Sequence, residues 1–205
     1  MIYFLRSRQW SACLAAAVCC GAVAGFFAQH LISVPFLGSL LVPTQMPVPV
    51  IPALLLCLML GACITGGERQ WMQAAVRNTW THALVLVLLL ASLSTVICLL
   101  ACLAARQGIM PCILYGRDVA GLLSLWVIGR LLGLASSATA IPVAYVVFCS
   151  AFARNRQEEF YPWAWIMEPG PSSLAGAAVM ALGLTAALLL MVRRRPLAAG
   201  RKSAE

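Results

Sequence analysis

Charge is what this chain has least of. Only 10% of its 205 residues are Asp, Glu, Lys or Arg, less than half the roughly 25% of an average soluble domain. That scarcity excludes a water-facing surface over most of the chain. With 62% hydrophobic residues and a mean hydropathy of +0.93, the matching solvent is lipid. Lysine is rarer still, Lys202 being the only one. A net charge of +8 directs attention to polyanions in a soluble protein. Here the arginines stand mainly at the ends of apolar runs, the pattern of membrane orientation, and no nucleic-acid partner is expected.

The usual instruments of catalysis are missing too. No GxxxxGK[ST] loop occurs, which excludes nucleotide binding by that device, and no HExxH pair occurs. His30 and His82 are the only histidines, and no CxxC pair exists. Among the carboxylates Glu68, Asp118, Glu158, Glu159, Glu168 and Glu205, only Glu158 and Glu159 are neighbours, and adjacent positions on a helix diverge. The chain is therefore read as a non-enzyme with no catalytic residue, cofactor or metal ligand of its own. Its nine cysteines, Cys13, Cys19, Cys20, Cys57, Cys63, Cys98, Cys102, Cys112 and Cys149, lie nearly all in apolar runs. They are expected to serve as small packing residues rather than as a redox or zinc site.

What the sequence does hold is apolar runs approaching the roughly 20 residues that cross a hydrocarbon core. Six are read, over residues 9–28, 47–65, 81–104, 118–135, 138–153 and 173–192. The expected fold is all-α: one polytopic membrane helical bundle over 1–205 with a short basic tail at 193–205. Arg6, Arg8, Arg69, Arg77, Arg130, Arg193, Arg194, Arg195, Arg201 and Lys202 fall towards one side of such a bundle, and Arg106, Arg117, Arg154 and Arg156 towards the other. The heavier side is cytoplasmic by the positive-inside rule, so both termini are placed inside, in a multi-pass protein of the plasma membrane. Arg6, Arg8 and the following apolar run with "AVAG" at 22–25 also fit a cleavable signal peptide. The run is long for a signal core, and an uncleaved span is preferred.

Four stretches carry more specific expectations. Ala17, Gly21 and Gly25 recur every four residues in the first span, as do Gly129, Gly133 and Ser137 at the end of the fourth. Small residues so spaced let helix backbones approach closely in lipid, either between subunits or, as preferred, within the chain. Residues 66–82, "GGERQWMQAAVRNTWTH", are polar between two apolar runs. Gly66 and Gly67 permit a turn. On a helix over 68–80, Arg69, Gln70, Gln73 and Arg77 gather on one side and Trp71, Met72, Ala74 and Ala75 on the other, as in a helix lying along the cytoplasmic interface. The external stretch 154–173 combines Glu158, Glu159 and Glu168 with Phe160, Tyr161, Trp163 and Trp165, broken by Pro162, Pro169 and Pro171. It reads either as a re-entrant cap or as an aromatic belt at the headgroups. "YGRDVAG" at 115–121 is read as a helix start, with Asp118 favoured by the helix dipole and Arg117 pairing with it at the interface. Arg130 lies deeper and is expected to snorkel outwards. The external segment 29–49, with Pro35, Pro43, Pro47 and Pro49, is not expected to be a continuous helix.

This layout resembles the membrane subunit of exporter-type ATP-binding cassette (ABC) transporters. The resemblance is carried by the basic lead "MIYFLRSRQW", six spans, the segment "GERQWMQAAVRNTWTHALVL", and "GRDVAGLLSLWVIGRLLG", "IPVAY" and "YPWAWIMEP". These stretches are similar to six-span bacterial membrane proteins grouped with such permeases. The resemblance implies that residues 68–77 form a coupling helix docking into a separate ATPase subunit, with Glu68, Arg69, Trp71, Gln73 and Arg77 as contacts. It implies pairing with a second permease subunit, identical or different, with ATP bound by the partner ATPase. It also implies a substrate route lined by spans 1, 2 and 5 and short re-entrant helices near 158–171. The chain departs from the pattern in being short, with a compact connection between spans 4 and 5, which leaves open a non-transporting scaffold or regulatory subunit.

Overall fold

The computed structural model describes residues 10–34, 44–71, 80–132, 137–152, 161, 164–168, 179, 181–183 and 185–186, of which 10, 33–34, 44–45, 65–71 and 80–83 through their backbone. The described part is mostly helical: α1 Trp10–Phe26, α2 Val50–Trp71, α3 Trp80–Ala104, α4 Met110–Leu131 and α5 Ala140–Phe152. Helical residues also occur at 179, 181–183 and 185–186, within the sixth apolar run.

The all-α expectation needs one correction. Between α1 and α2, β1 Leu31–Val34 and β2 Thr44–Pro47 pair antiparallel, Leu31 facing Pro47 and Val34 facing Thr44. The Val48 amide donates to the His30 carbonyl at 3.1 Å and extends the pairing. Pro43, Pro47 and Pro49 forbid helix there, and a two-stranded ribbon satisfies the backbone groups that a loop would leave bare. Pro47 lacks an N–H and is tolerated because both strands are edges.

Two more expectations fail at helix ends. The fourth helix starts at Met110, eight residues before the expected 118. Pro111 occupies its first turn, where no intrahelical N–H is required. The second helix runs through Gly66 and Gly67 to Trp71 without the expected turn. In a helix already committed over many residues, two glycines cost about 1 kcal/mol each relative to alanine, and that did not break it.

Among the described residues, two helices are long and apolar enough to cross a membrane: residues Leu84–Ala104 within α3, and α4. The apolar parts of α1 and α2 (Ser11–Phe26 and Val50–Ile64) and α5 are shorter. At 1.5 Å per residue, the 13 residues of α5 reach about 20 Å, against about 30 Å of hydrocarbon. Helix α3 turns one side outwards. Val85, Leu88, Leu89, Val96, Leu100 and Leu103 form an exposed stripe along it, Leu88 being 65% exposed. Hydroxyls on these helices turn inwards to their own backbone, Ser92 to the Leu89 carbonyl and Thr95 to the Ala91 carbonyl, both at 2.9 Å.

α3 and α4 are joined by a short turn. Arg106, at φ 55°, ends α3 in the left-handed region usually left to glycine. The Gln107 amide reaches back to the Cys102 carbonyl at 2.9 Å and the Arg106 amide to that of Leu103 at 3.1 Å, which is the bonding pattern of a Schellman cap. The Gln107 side chain then donates to the Phe26 carbonyl at 3.1 Å and ties this turn to the end of α1. Inside the bundle, Ser94 on α3 and Tyr115 on α4 share a buried hydroxyl–hydroxyl bond of 2.8 Å.

The stripe Ala17, Gly21, Gly25 meets α3 within the same chain. Ala17 is fully buried. A Cβ on Gly21 would collide with the Ser94 carbonyl oxygen, and one on Gly25 would stand 2.7 Å from the Cys98 carbonyl oxygen. The second stripe does not continue as expected. Gly129 is close against Ile141, but α4 ends at Leu131, Ser137 lies in a turn, and Gly133 lies outside the described residues. Gly21→Ala should destabilise the bundle by about 1–3 kcal/mol, because the obstruction is backbone and cannot swing aside. Gly183→Ala, whose nearest neighbour is the Ser124 hydroxyl at 3.8 Å, should be neutral or stabilising. Unfolding midpoints in a denaturing-detergent titration check both.

Candidate functional site

Eight and nine residues into α4 come Arg117 and Asp118, neither at its start. At 1.5 Å per residue, Asp118 is about 12 Å from the Met110 end. The expected stabilisation by the helix N-terminus is therefore corrected, since that effect fades within the first turn. The Arg117 Nε donates to Asp118 Oδ1 at 3.1 Å, and the two side chains are 10% and 3% exposed. Burying two charges is costly unless they pair and their remaining groups find partners. Arg117 meets that condition in part by donating from Nη2 to the Glu168 carbonyl oxygen at 3.1 Å.

Glu168 belongs to the stretch expected as an external cap. Tyr161 is exposed there, at 39%. The next described residues, Ala164, Trp165, Ile166 and Met167, are all buried, in a tight turn closed by Ala164 N–H to Tyr161 C=O and Met167 N–H to Ala164 C=O, each 2.9 Å. Trp165 is thus no headgroup anchor. Its indole stacks on Tyr145 of α5 at 5.4 Å between ring centres. It also sits where a side chain on Gly121 of α4 would have to be, 2.5 Å from such a Cβ at Cζ2. Gly121 is therefore the socket for Trp165, and the segment enters between α4 and α5. Of the other cap residues, Glu158, Glu159 and Trp163 lie outside the described residues.

A cavity of about 300 Å³ opens beside this pair. Its walls are Gln29 and Leu31 after α1, Pro47 and Pro49 before α2, Met110, Pro111 and Leu114 on α4, and its polar end is Arg117, Asp118 and Glu168. Four separate segments meet here, which explains why the β-ribbon matters: it brings the end of α1 and the start of α2 to the first turns of α4. Chemically the site offers the Arg117 guanidinium and the Asp118 carboxylate against apolar walls, with Glu168 at its edge. Among the described residues no group of three or more His, Cys, Asp or Glu is arranged to hold a metal ion.

Set against known proteins, the chain matches no protein-family model, no curated protein and no solved structure.

The remaining expected site residues are placed as follows. Glu68, Arg69 and Trp71 continue the α2 backbone, while Gln73 and Arg77 lie outside the described residues, as do Arg6, Arg8 and the tail 193–205. Arg130 is in the last turn of α4. It does not reach outwards: its guanidinium lies over the Trp126 ring at 5.7 Å from the ring centre, with Nη1 shut from solvent, a cation–π arrangement. The residue that sequence reasoning undervalued is Asp118, which it took for a helix-start marker. The signal for its true place was Pro111, a residue suited to the first helical turn. Asp118→Ala should cost about 3–5 kcal/mol, because Arg117 is left as a buried charge without its carboxylate. Replacing both, Arg117→Met with Asp118→Leu, should cost markedly less, and a double-mutant cycle on unfolding in detergent measures the difference.

Proposed function

We propose that this chain is the membrane-spanning permease subunit of a bacterial ABC exporter, a six-span plasma-membrane protein with both termini in the cytoplasm, driven by a separate ATPase. The observation that carries the transport part is the Arg117–Asp118 pair. It is buried in a lipid-length helix and faces a cavity. Ionisable groups at such depth are expensive, and where they occur they mark substrate or ion pathways by default. The exposed apolar stripe of α3 supports lipid contact, since so extended an apolar surface is unfavourable in water. The ATPase part rests on the resemblance of residues 66–82 to a coupling segment. In this reading Glu68, Arg69 and Trp71 extend α2 as a lever towards the ATPase, Gln73 and Arg77 complete the contact, and a second permease subunit completes the pathway. The cap around Trp165 covers the outer end of that pathway.

Two measurements test the reading. Co-expressed with candidate ABC ATPase subunits from its host, a tagged chain should retain one of them in mild detergent. Arg69→Glu combined with Arg77→Glu should reduce the retained amount at least about tenfold with unchanged membrane levels, consistent with loss of more than 1.4 kcal/mol of binding. Asp118→Asn should leave retention intact and abolish ATPase-dependent efflux. A chain that never retains the ATPase, with its host's efflux indifferent to all three substitutions, is a scaffold or regulatory subunit instead.

A further inference from the structure

The cysteines provide an observation that the transport reading does not use. Cys13 lies in the first turns of α1 and Cys63 in the later part of α2, fifty positions apart. Their sulfurs nevertheless face each other at 2.6 Å. Carbon atoms in ordinary contact settle about 3.5–4.0 Å apart, and sulfur is the larger atom. The two sulfurs are thus close enough for a small shift to bring them to bonding distance.

The surroundings give the pair a direction. Cys13 is 3% exposed, whereas Cys63 is only half-buried. A small oxidant therefore meets Cys63 first, and Cys13 is positioned behind it as the second thiol. The topology gives the pair a consequence. Helices α1 and α2 run antiparallel, tied at one end by the ribbon β1–β2 and the His30–Val48 bond. Cys13 and Cys63 lie towards the opposite, open end of that unit.

We propose that Cys13 and Cys63 form an oxidisable dithiol whose product is a disulfide joining α1 to α2. The oxidant is a low-molecular-weight disulfide. The Cys63 sulfur, as thiolate, attacks one sulfur of the oxidant, forms a mixed disulfide and releases one thiol. The Cys13 sulfur then attacks the Cys63 sulfur, forms the intramolecular bond and releases the second thiol. Two S–H bonds are lost and one S–S bond is gained in the protein. The oxidant takes up two electrons and the two protons, ending as two thiols. In a reducing compartment the pair rests as two thiols, and oxidative challenge converts it. Once formed, the bond closes the open end of the α1–β1–β2–α2 unit. Because α1 is also seated on α3 through Gly21 and Gly25, the covalent brace between α1 and α2 also bears on α3. The proposal stands on this contact alone and holds whether or not the chain transports.

The test uses the full chain, purified in mild detergent under reducing conditions and then incubated with oxidised glutathione. Free thiols are blocked with a maleimide, the protein is denatured and digested, and peptides are identified by mass spectrometry. Of the nine cysteines, the two at 13 and 63 should escape blocking and appear as one cross-linked peptide within a single chain, recovered as two thiols on reduction. In Cys13→Ser the resolving thiol is gone, and glutathione should remain attached at Cys63. Full blocking of all nine cysteines after prolonged oxidation overturns the proposal. So does a cross-link that joins mainly other cysteines or two chains, or a Cys13→Ser protein that forms an equal yield of internal disulfide through Cys63. The count is made on the unaltered chain, so a variant that fails to fold does not decide it.

Discussion

The carbonyl oxygen of Ser94 occupies the space that any side chain at position 21 would need. This close approach of α1 to α3 is the constraint on which the rest of the bundle depends. In an apolar solvent helices gain little from hiding greasy surface, since lipid tails are as apolar as leucine. Association must come from packing at short range, and glycine and alanine permit that range. With α1 seated on α3, the Ser94 hydroxyl is enclosed and takes the Tyr115 hydroxyl as partner, which fixes α4. With α4 fixed, Gly121 presents a gap that Trp165 fills, and α5 is held through Tyr145. Each contact presupposes the previous one.

Electrostatics enters the same chain of dependence at Arg117. One guanidinium addresses a carboxylate on its own helix and a backbone carbonyl from a segment fifty-one residues away. The first bond offsets the cost of a buried charge, and the second locks the inserted turn over α4. A lysine would serve poorly here. Its compact ammonium lacks the planar fork that lets two donors point in two directions at once.

The sequence showed the broad features because they depend on composition, and missed those that depend on neighbours in space. The first, third and fifth apolar runs coincide with α1, α3 and α5 to within a few residues, since hydrophobic runs are bounded by the same residues that bound helices. The fourth apolar run looks bounded at Asp118 because a charge ordinarily marks a boundary, whereas this charge is inside and paired. Gly66 and Gly67 permit a turn by local preference, which a long helix overrides. The prolines of 29–49 correctly excluded helix there but do not by themselves specify a ribbon. Trp165 has the composition of a headgroup anchor, and only its fit to Gly121, forty-four positions earlier, places it inside. The approach of Cys13 to Cys63 has no sequence signature at all, because it arises from how two antiparallel helices are set side by side.

The turn between α3 and α4 bears on how such a chain enters a bilayer. α4 carries Arg117, Asp118 and Arg130 and is less apolar than α3, so on its own it partitions into lipid poorly. The Schellman cap at Arg106 leaves so short a tether that α4 has little room to wander from α3. The greasier helix can thus act as chaperone to the more polar one. In the proposed membrane setting the pair would enter as a single hairpin, with Arg117 already paired to Asp118 and the Ser94 and Tyr115 hydroxyls already joined.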